Sequence, residues 1–232
     1  MTRSKYLASP DDGAEILRIL ESSAARGQIE LIYTRRTDAY ASYMKENGEA
    51  HVFVSRSGER IVATCAEIVG EVYIGGRVCR AAYVCGLKKD AGFEGNAGFN
   101  ADFIRELADV KADCYYCSVI ADNVAAERMF KKPRRILSTK EIVGYRVFVF
   151  SPKIKIKTKK HSLLFRRATK EDEKAVVAFL NDEGKRKDMF PVVRDIGQFY
   201  NLHTEDFYLL TDGKPQWNTA KKKRWTHGSI ST

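Results

Sequence analysis

The chain predicts a mixed α/β (α+β) fold, a mostly antiparallel, twisted sheet flanked by helices, and three observations carry that reading. Residues 51–87, HVFVSRSGERIVATCAEIVGEVYIGGRVCRAAYVCGL, are rich in β-branched and aromatic residues and are cut by Ser57-Gly58 and Gly75-Gly76, as expected of three strands joined by tight turns. Two capped helical stretches precede this meander. After it, helical and strand-like segments alternate.

The first helix is read over Ser9 to Ala24. Ser9 serves as N-cap, Pro10 takes the first helical position, Asp11 and Asp12 sit in the first turn, and Ile16, Leu17, Ile19 and Leu20 recur at helical spacing. A second helical piece, TDAYASYMKENG, is capped by Thr37 or Asp38 and stopped by Gly48. The strands of the meander are expected at His51 to Ser55, Arg60 to Tyr73 and Arg77 to Leu87, as antiparallel neighbours. A helix over Ala97 to Val110 then leads to a strand over Asp113 to Ile120. A helix over Asn123 to Phe130 leads past Pro133 to the β-rich EIVGYRVFVF, Glu141 to Phe150.

Composition narrows the functional classes. With 232 residues, 44% of them hydrophobic, the chain can build one full domain and a smaller second unit. No apolar run approaches the roughly 20 residues that cross a bilayer, and MTRSKYLASPDDG lacks the apolar core of a secretory signal, so no membrane partner and a cytoplasmic location are expected. Five cysteines, an odd number without a scaffold pattern, are expected to stay reduced. The net charge of +10 is concentrated in SPKIKIKTKKH (Ser151 to His161) and KKKRW (Lys221 to Trp225). Both runs read as a solvated linker and tail, and nucleic acid is not the expected partner.

The segment GLKKDAGFEGNAGF, Gly86 to Phe99, follows a strand and enters a helix. A glycine-rich turn at a helix start offers unpaired backbone N–H groups to a pyrophosphate. With YYCSVIADNVAAERMF, Tyr115 to Phe130, it points to a phosphate-bearing cofactor.

These residues resemble the GNAT N-acetyltransferase superfamily. The order α, α, three-strand meander, pyrophosphate loop, α, β, α, β, β matches Met1 to Ser151. Leu87, Lys89, Gly92, Gly95 and Ala97 stand where the family has the strand end and the Q/R-x-x-G-x-G/A loop, and Asn123, Ala126 and Phe130 stand where it has N-x-x-A and a later Tyr. The resemblance implies acetyl-CoA as co-substrate, no metal, and direct attack of a primary amine on the thioester. The acceptor is a small molecule or a peptide amine. The arm of the cofactor lies where the fourth and fifth strands of the family splay apart. The implied cofactor-binding residues are Leu87, Lys88, Lys89, Gly92, Gly95, Asn96, Ala97, Gly98, Asn123, Ala126 and Phe130.

The chain departs from the pattern at two places. Gly92 replaces Gln or Arg, and Glu94 opposes a pyrophosphate where an Arg is common; Lys88 and Lys89 restore positive potential. Phe130 replaces the tyrosine that protonates the departing thiolate, and a phenyl ring offers no proton. Candidates for the base are Glu67, Tyr83 and Tyr145, each with an ordinary alternative as a solvated or packing residue of a strand. Tyr33, Arg36 and Tyr40, with Arg35 beside them, are candidates for the acceptor pocket or a plain helix entry. Asn123 is equally an ordinary N-cap. Cys114 and Cys117 have CxxC spacing, but on a strand they face opposite sides, and no second ligand pair follows. Cys85 lies near the expected thioester channel and reads first as a small buried residue.

The remaining third begins again in the same way. LLFRRATKEDEKAVVAFLNDE, Leu163 to Glu183, gives a short strand, a Thr169 cap and an apolar stripe of Ala175, Val176, Phe179 and Leu180. EDFYLLTDGK resembles the second strand of such a unit. The expected division is residues 1–151 as a GNAT-like domain, 152–162 as a basic linker, and 163–232 as an incomplete second GNAT-like unit with a polar, basic tail. Its uncovered apolar surface is expected to pack on the first domain or on another subunit, as in a homodimer. The other functional class left open is a catalytically degenerate GNAT-like module that binds nucleic acid or a protein.

Overall fold

In the computed structural model, residues 6–24, 32–95, 101–120, 123–131, 140, 144, 164–197 and 202–211 are described. Asp12 Oδ2 accepts from the Ser9 backbone N–H (2.7 Å) and hydroxyl (3.1 Å), which ties down the 3₁₀ turn Pro10–Asp12 and starts α1, Gly13–Glu21. Arg56 adds a bond to the same carboxylate, at 2.7 Å. The α1 stripe Ile16, Ile19 and Leu20 is fully buried, each side chain contributing roughly 1.5–3 kcal/mol of transfer free energy. The second helix, α2, is shorter than the pattern suggested: Ala39–Tyr43, capped by the Asp38 side chain, which accepts from Ala41 N–H.

The meander forms as expected. β1 (Glu49–Ser57), β2 (Arg60–Ile74) and β3 (Arg77–Lys89) pair antiparallel in sequence order, and β4 (Cys114–Tyr116) adds to β3 in parallel. Helices α3, Ala101–Ala108, and α4, Val124–Lys131, flank β4 in the chain. The result is a mixed α/β, mostly antiparallel sheet with helices against it.

Alternation sorts the two faces of the sheet. Val52, Val54, Ala66 and Ile68 pack with α1 and α2, together with Tyr83 and Cys85. Phe53, Cys65, Val84 and Leu87 pack with Phe103 of α3. Glu67 shares the parity of Cys65 and is paired with His51 and Val84, so it lies on the α3 face, whereas Tyr83, paired with Ile68, lies on the α1/α2 face.

Two features of the sheet differ from expectation. β3 carries one extra residue between its pairs with Ala66 and Thr64, a bulge at Gly86 and Leu87. Gly86 has φ +60°, and a Cβ there would fall 2.1 Å from the Tyr43 hydroxyl, so both backbone and space require glycine. The strand expected over Asp113 to Ile120 shrinks to three residues. Its ladder with β3 stops at Tyr83↔Tyr116, just before the bulge turns β3 away.

The C-terminal segment opens with β5, Leu164–Arg167, then a 3₁₀ turn capped by Thr169 and α5, Glu173–Gly184. β7, Tyr208–Thr211, pairs antiparallel with β5. Between them β6, Phe190–Pro191, pairs with Val72 and Tyr73 at the end of β2 beyond the start of β1. Met189 N–H donates to Tyr73 O and Val192 N–H to Glu71 O, both at 2.8 Å. The linker 152–162, the tail and Glu141 to Phe150, Gly144 excepted, lie outside the described residues. Among the described residues no helix is long and apolar enough to cross a membrane.

Candidate functional site

Beyond Tyr83, β3 runs on to Lys89 without a strand partner on its β4 side among the described residues. An extended backbone whose N–H and C=O groups face an opening is a place where another chain-like molecule can complete the ladder. Two buried polar groups flank this stretch, one on each face of the sheet. The Tyr43 hydroxyl touches the Gly86 position from the α1/α2 face, and Glu67, cross-strand from Val84, lies on the α3 face; among the described residues neither Tyr43 Oη nor either Glu67 oxygen has a hydrogen-bond partner. Burial pushes the Glu67 carboxyl up to about 8 and raises the Tyr43 phenol, so both hold their protons at neutral pH.

A cavity of about 260 Å³ lies on the α1/α2 face, reaching the last β3–β4 pair, Tyr83↔Tyr116. Its floor is Ile68, Gly70, Val72, Ala81, Tyr83 and Tyr116. Gly70 and Ala81 are direct cross-strand partners, so the floor dips where two neighbouring side chains are smallest. The rings of Tyr83 and Tyr116 meet at 5.0 Å at one end of the floor. One wall is the turn after α2, with Gly48 held at φ +145° against Val69 O. Another wall is Met189 with Pro191 to Asp195.

Arg35 enters this cavity already oriented. Its guanidinium donates to Tyr33 Oη (3.0 Å) and Ser42 Oγ (3.3 Å), pairs with Glu46 at 2.7 Å and stacks 3.9 Å from the centre of the Tyr43 ring. Of the acceptor residues expected from sequence, Tyr33 is therefore joined to the cavity through Arg35. Arg36 turns to Glu21 at 3.0 Å and Tyr40 packs against the core.

Several expected cofactor residues are already engaged. The Lys88 ammonium donates to the carbonyls of Leu20 and Ser23 at the end of α1, and the Gly92 N–H donates to Asp90 Oδ1 at 3.1 Å. Asp90 itself is buried between Arg18 (2.9 Å) and Arg60 (2.6 Å). Lys88 thus spends two of its three donors, and Gly92 its backbone N–H, within the protein. The Lys89 ammonium stands over the Phe93 ring at 5.7 Å, and the same ring crowds Gly95. Leu87 packs in the α3 cluster. Asn96, Ala97, Gly98 and the candidate base Tyr145 lie outside the described residues.

Asn123 caps α4: its Oδ1 accepts from Ala126 N–H at 3.2 Å, and its backbone carbonyl accepts from Glu127 N–H at 2.9 Å. Phe130 is half-buried on the same helix. Glu67 lies on the face of the sheet opposite the cavity, and burial pushes its carboxyl up to about 8. Burial holds the Cys85 thiol up to about 11 and raises Cys117 as well, leaving both weak as nucleophiles. Sequence reasoning missed Glu46, Glu71, Tyr116, Arg194 and Asp195 at the cavity. The Gly70/Ala81 depression was readable once the register of the meander was set; the wall from residues 189–195 was not, because it depends on a contact more than a hundred positions away.

Several solved structures are similar to this chain. A protein of Agrobacterium tumefaciens strain C58 named as an acetyltransferase is 13% identical, with TM-score 0.45 over 61% of this chain and 96% of its own. The ribosomal-protein-alanine N-acetyltransferase of Brucella melitensis is 15% identical, with TM-score 0.43 over 62% and 96%. A transcriptional regulator of Bacillus halodurans is 13% identical, with TM-score 0.44 over 62% and 97%. No family model matches the chain, and no curated protein does.

Proposed function

We propose that the chain is an N-acetyltransferase of the GNAT type that passes acetyl from acetyl-CoA to a primary amine. The observation that carries this reading is the edge of β3 from Val84 to Lys89, which has no strand partner on its β4 side among the described residues.

The residues present fit an extended thioester arm. Backbone groups of Val84 to Leu87 would pair with it. Acetyl-CoA, when bound, supplies an acyl thioester whose thiol ionises near pH 8.5, a tolerable leaving group without strong acid help. Tyr83 and Tyr116, at the end of the cavity nearest the opening, orient the acceptor amine, and the cavity walls exclude bulk water from it. Phe130 donates no proton, so the chain's chemistry relies on positioning more than on acid catalysis.

The assay is release of free CoA thiol from acetyl-CoA on addition of primary amines, followed with a thiol reagent. Amine-dependent release is expected; none with any of a broad amine panel overturns the proposal.

A further inference from the structure

We propose that residues 188–195 are the acceptor-selecting wall of the cavity beside Tyr83 and Tyr116, and that this cavity takes a small amine with an apolar body. The inference rests on the transferase reading and adds the part of the chain that shapes acceptor choice.

The wall is fixed by bonds to two different elements. Along β2 it is held by the pairs Met189 N–H to Tyr73 O and Val192 N–H to Glu71 O, and Arg194 pairs with the Glu71 carboxylate. The Asp188 carboxylate accepts from Gly75 N–H at 2.7 Å, closing the turn between β2 and β3. From α5, Asn181 clamps Val193 on both sides: Nδ2 donates to Val193 O (2.7 Å) and Oδ1 accepts from Val193 N–H (3.0 Å). The same Oδ1 accepts from the Tyr73 hydroxyl at 3.1 Å. A wall held at this many points is in place before any ligand arrives, which lowers the ordering cost of binding.

Size and chemistry then set the occupant. About 260 Å³ is smaller than the roughly 300–1,000 Å³ of sites for drug-sized ligands, so a compact molecule fits. Ile68, Val72, Ala81, Pro191 and Val193 present an apolar interior. At the rim, Glu46 pairs with Arg35 and Glu71 with Arg194, so the choice of an amine rests on the transferase reading and the wall sets the shape of its body. The reacting nitrogen belongs at the tyrosine end, and the apolar body lies along the wall.

Phenylethylamine is the probe, titrated calorimetrically into the full chain, with acetyl-CoA titrated separately. Val192→Trp fills the cavity from the wall. Gly70→Ala raises its floor, where an added Cβ would meet only Asn47 O, at 3.5 Å, so that variant keeps the fold. Phenylethylamine is expected to bind the parent chain, about tenfold more weakly in Val192→Trp and less well in Gly70→Ala, while acetyl-CoA affinity stays within about twofold. Unchanged phenylethylamine binding in both variants overturns the wall, and no binding to the parent chain overturns the ligand class. Amine binding lost in the variants together with no acetyl-CoA binding by the parent chain keeps the amine cavity and removes the transferase reading, so the two failures are distinguishable.

Discussion

Glu67 brings a carboxyl into the interior with neither oxygen hydrogen-bonded, and its protonation links stability to pH. Its ordinary value of 4.5 rises to about 8 through burial, so between those values the folded chain holds a proton that the unfolded chain has released. Stability is therefore fullest below pH 4.5 and falls as pH rises toward 8, by up to about 1.4 kcal/mol per pH unit. Glu67→Gln removes that slope and is expected to be more stable than the parent by about 2–3 kcal/mol at pH 7, with the difference vanishing near pH 4. Urea unfolding at several pH values measures it, and parallel curves for the two proteins would contradict the account. Tyr43 behaves differently. Its hydroxyl has no hydrogen-bond partner among the described residues, so Tyr43→Phe is expected to leave thermal stability unchanged or slightly raised in a thermal melt.

Among the elements, the meander and its turns were legible because alternation and Gly-containing turns are local signals; the boundaries of β1, β2 and β3 extend the expected strands by one to two residues at most ends. The bulge at Gly86 was not legible. Its cause is the Tyr43 hydroxyl packed beneath it, a contact between elements far apart in sequence. Gly86→Ala is expected to lose more than about 2 kcal/mol, and adding Tyr43→Phe to recover only part of it, since the positive φ strain remains; thermal unfolding of the single and double variants decides. The short β4 follows from the same bulge. Asp90, at the end of β3, anchors the loop that follows. Burial alone would raise its carboxyl, but the Arg60, Gly92 and Arg18 donors outweigh this and hold it near about 2. Its contribution is present above pH 3.8 and lost as pH falls through about 2. Because both arginines are half-exposed, screening limits the contribution, and Asp90→Asn is expected to destabilise the neutral-pH protein by about 1–2 kcal/mol.

Across the whole molecule, the two halves open with the same device. Ser9 and Thr169 both adopt extended backbone and both donate backbone N–H and hydroxyl to an Asp three residues later, and Ala8 and Ala168, each just before the cap, both donate N–H to a later strand or strand edge, at Val52 O and Phe207 O. That repetition was visible in the sequence as SPDD and TKED. What no local pattern could reveal is that β6 adds to β2 and walls the cavity. Asn181 joins α5 to both Tyr73 and Val193; Asn181→Leu is expected to cost about 2–3 kcal/mol and to speed amide exchange at Val193, because it strands buried backbone groups. On the proposed reading the acceptor side depends on residues 188–195, whereas the acyl side rests on the edge of β3 beyond Tyr83. Amide hydrogen exchange along β3, with and without saturating acetyl-CoA, tests that edge most directly. Strong new protection of Val84 to Leu87 is the expected result, and acetyl-CoA that fails to bind, or binds without slowing exchange at those amides, would contradict it.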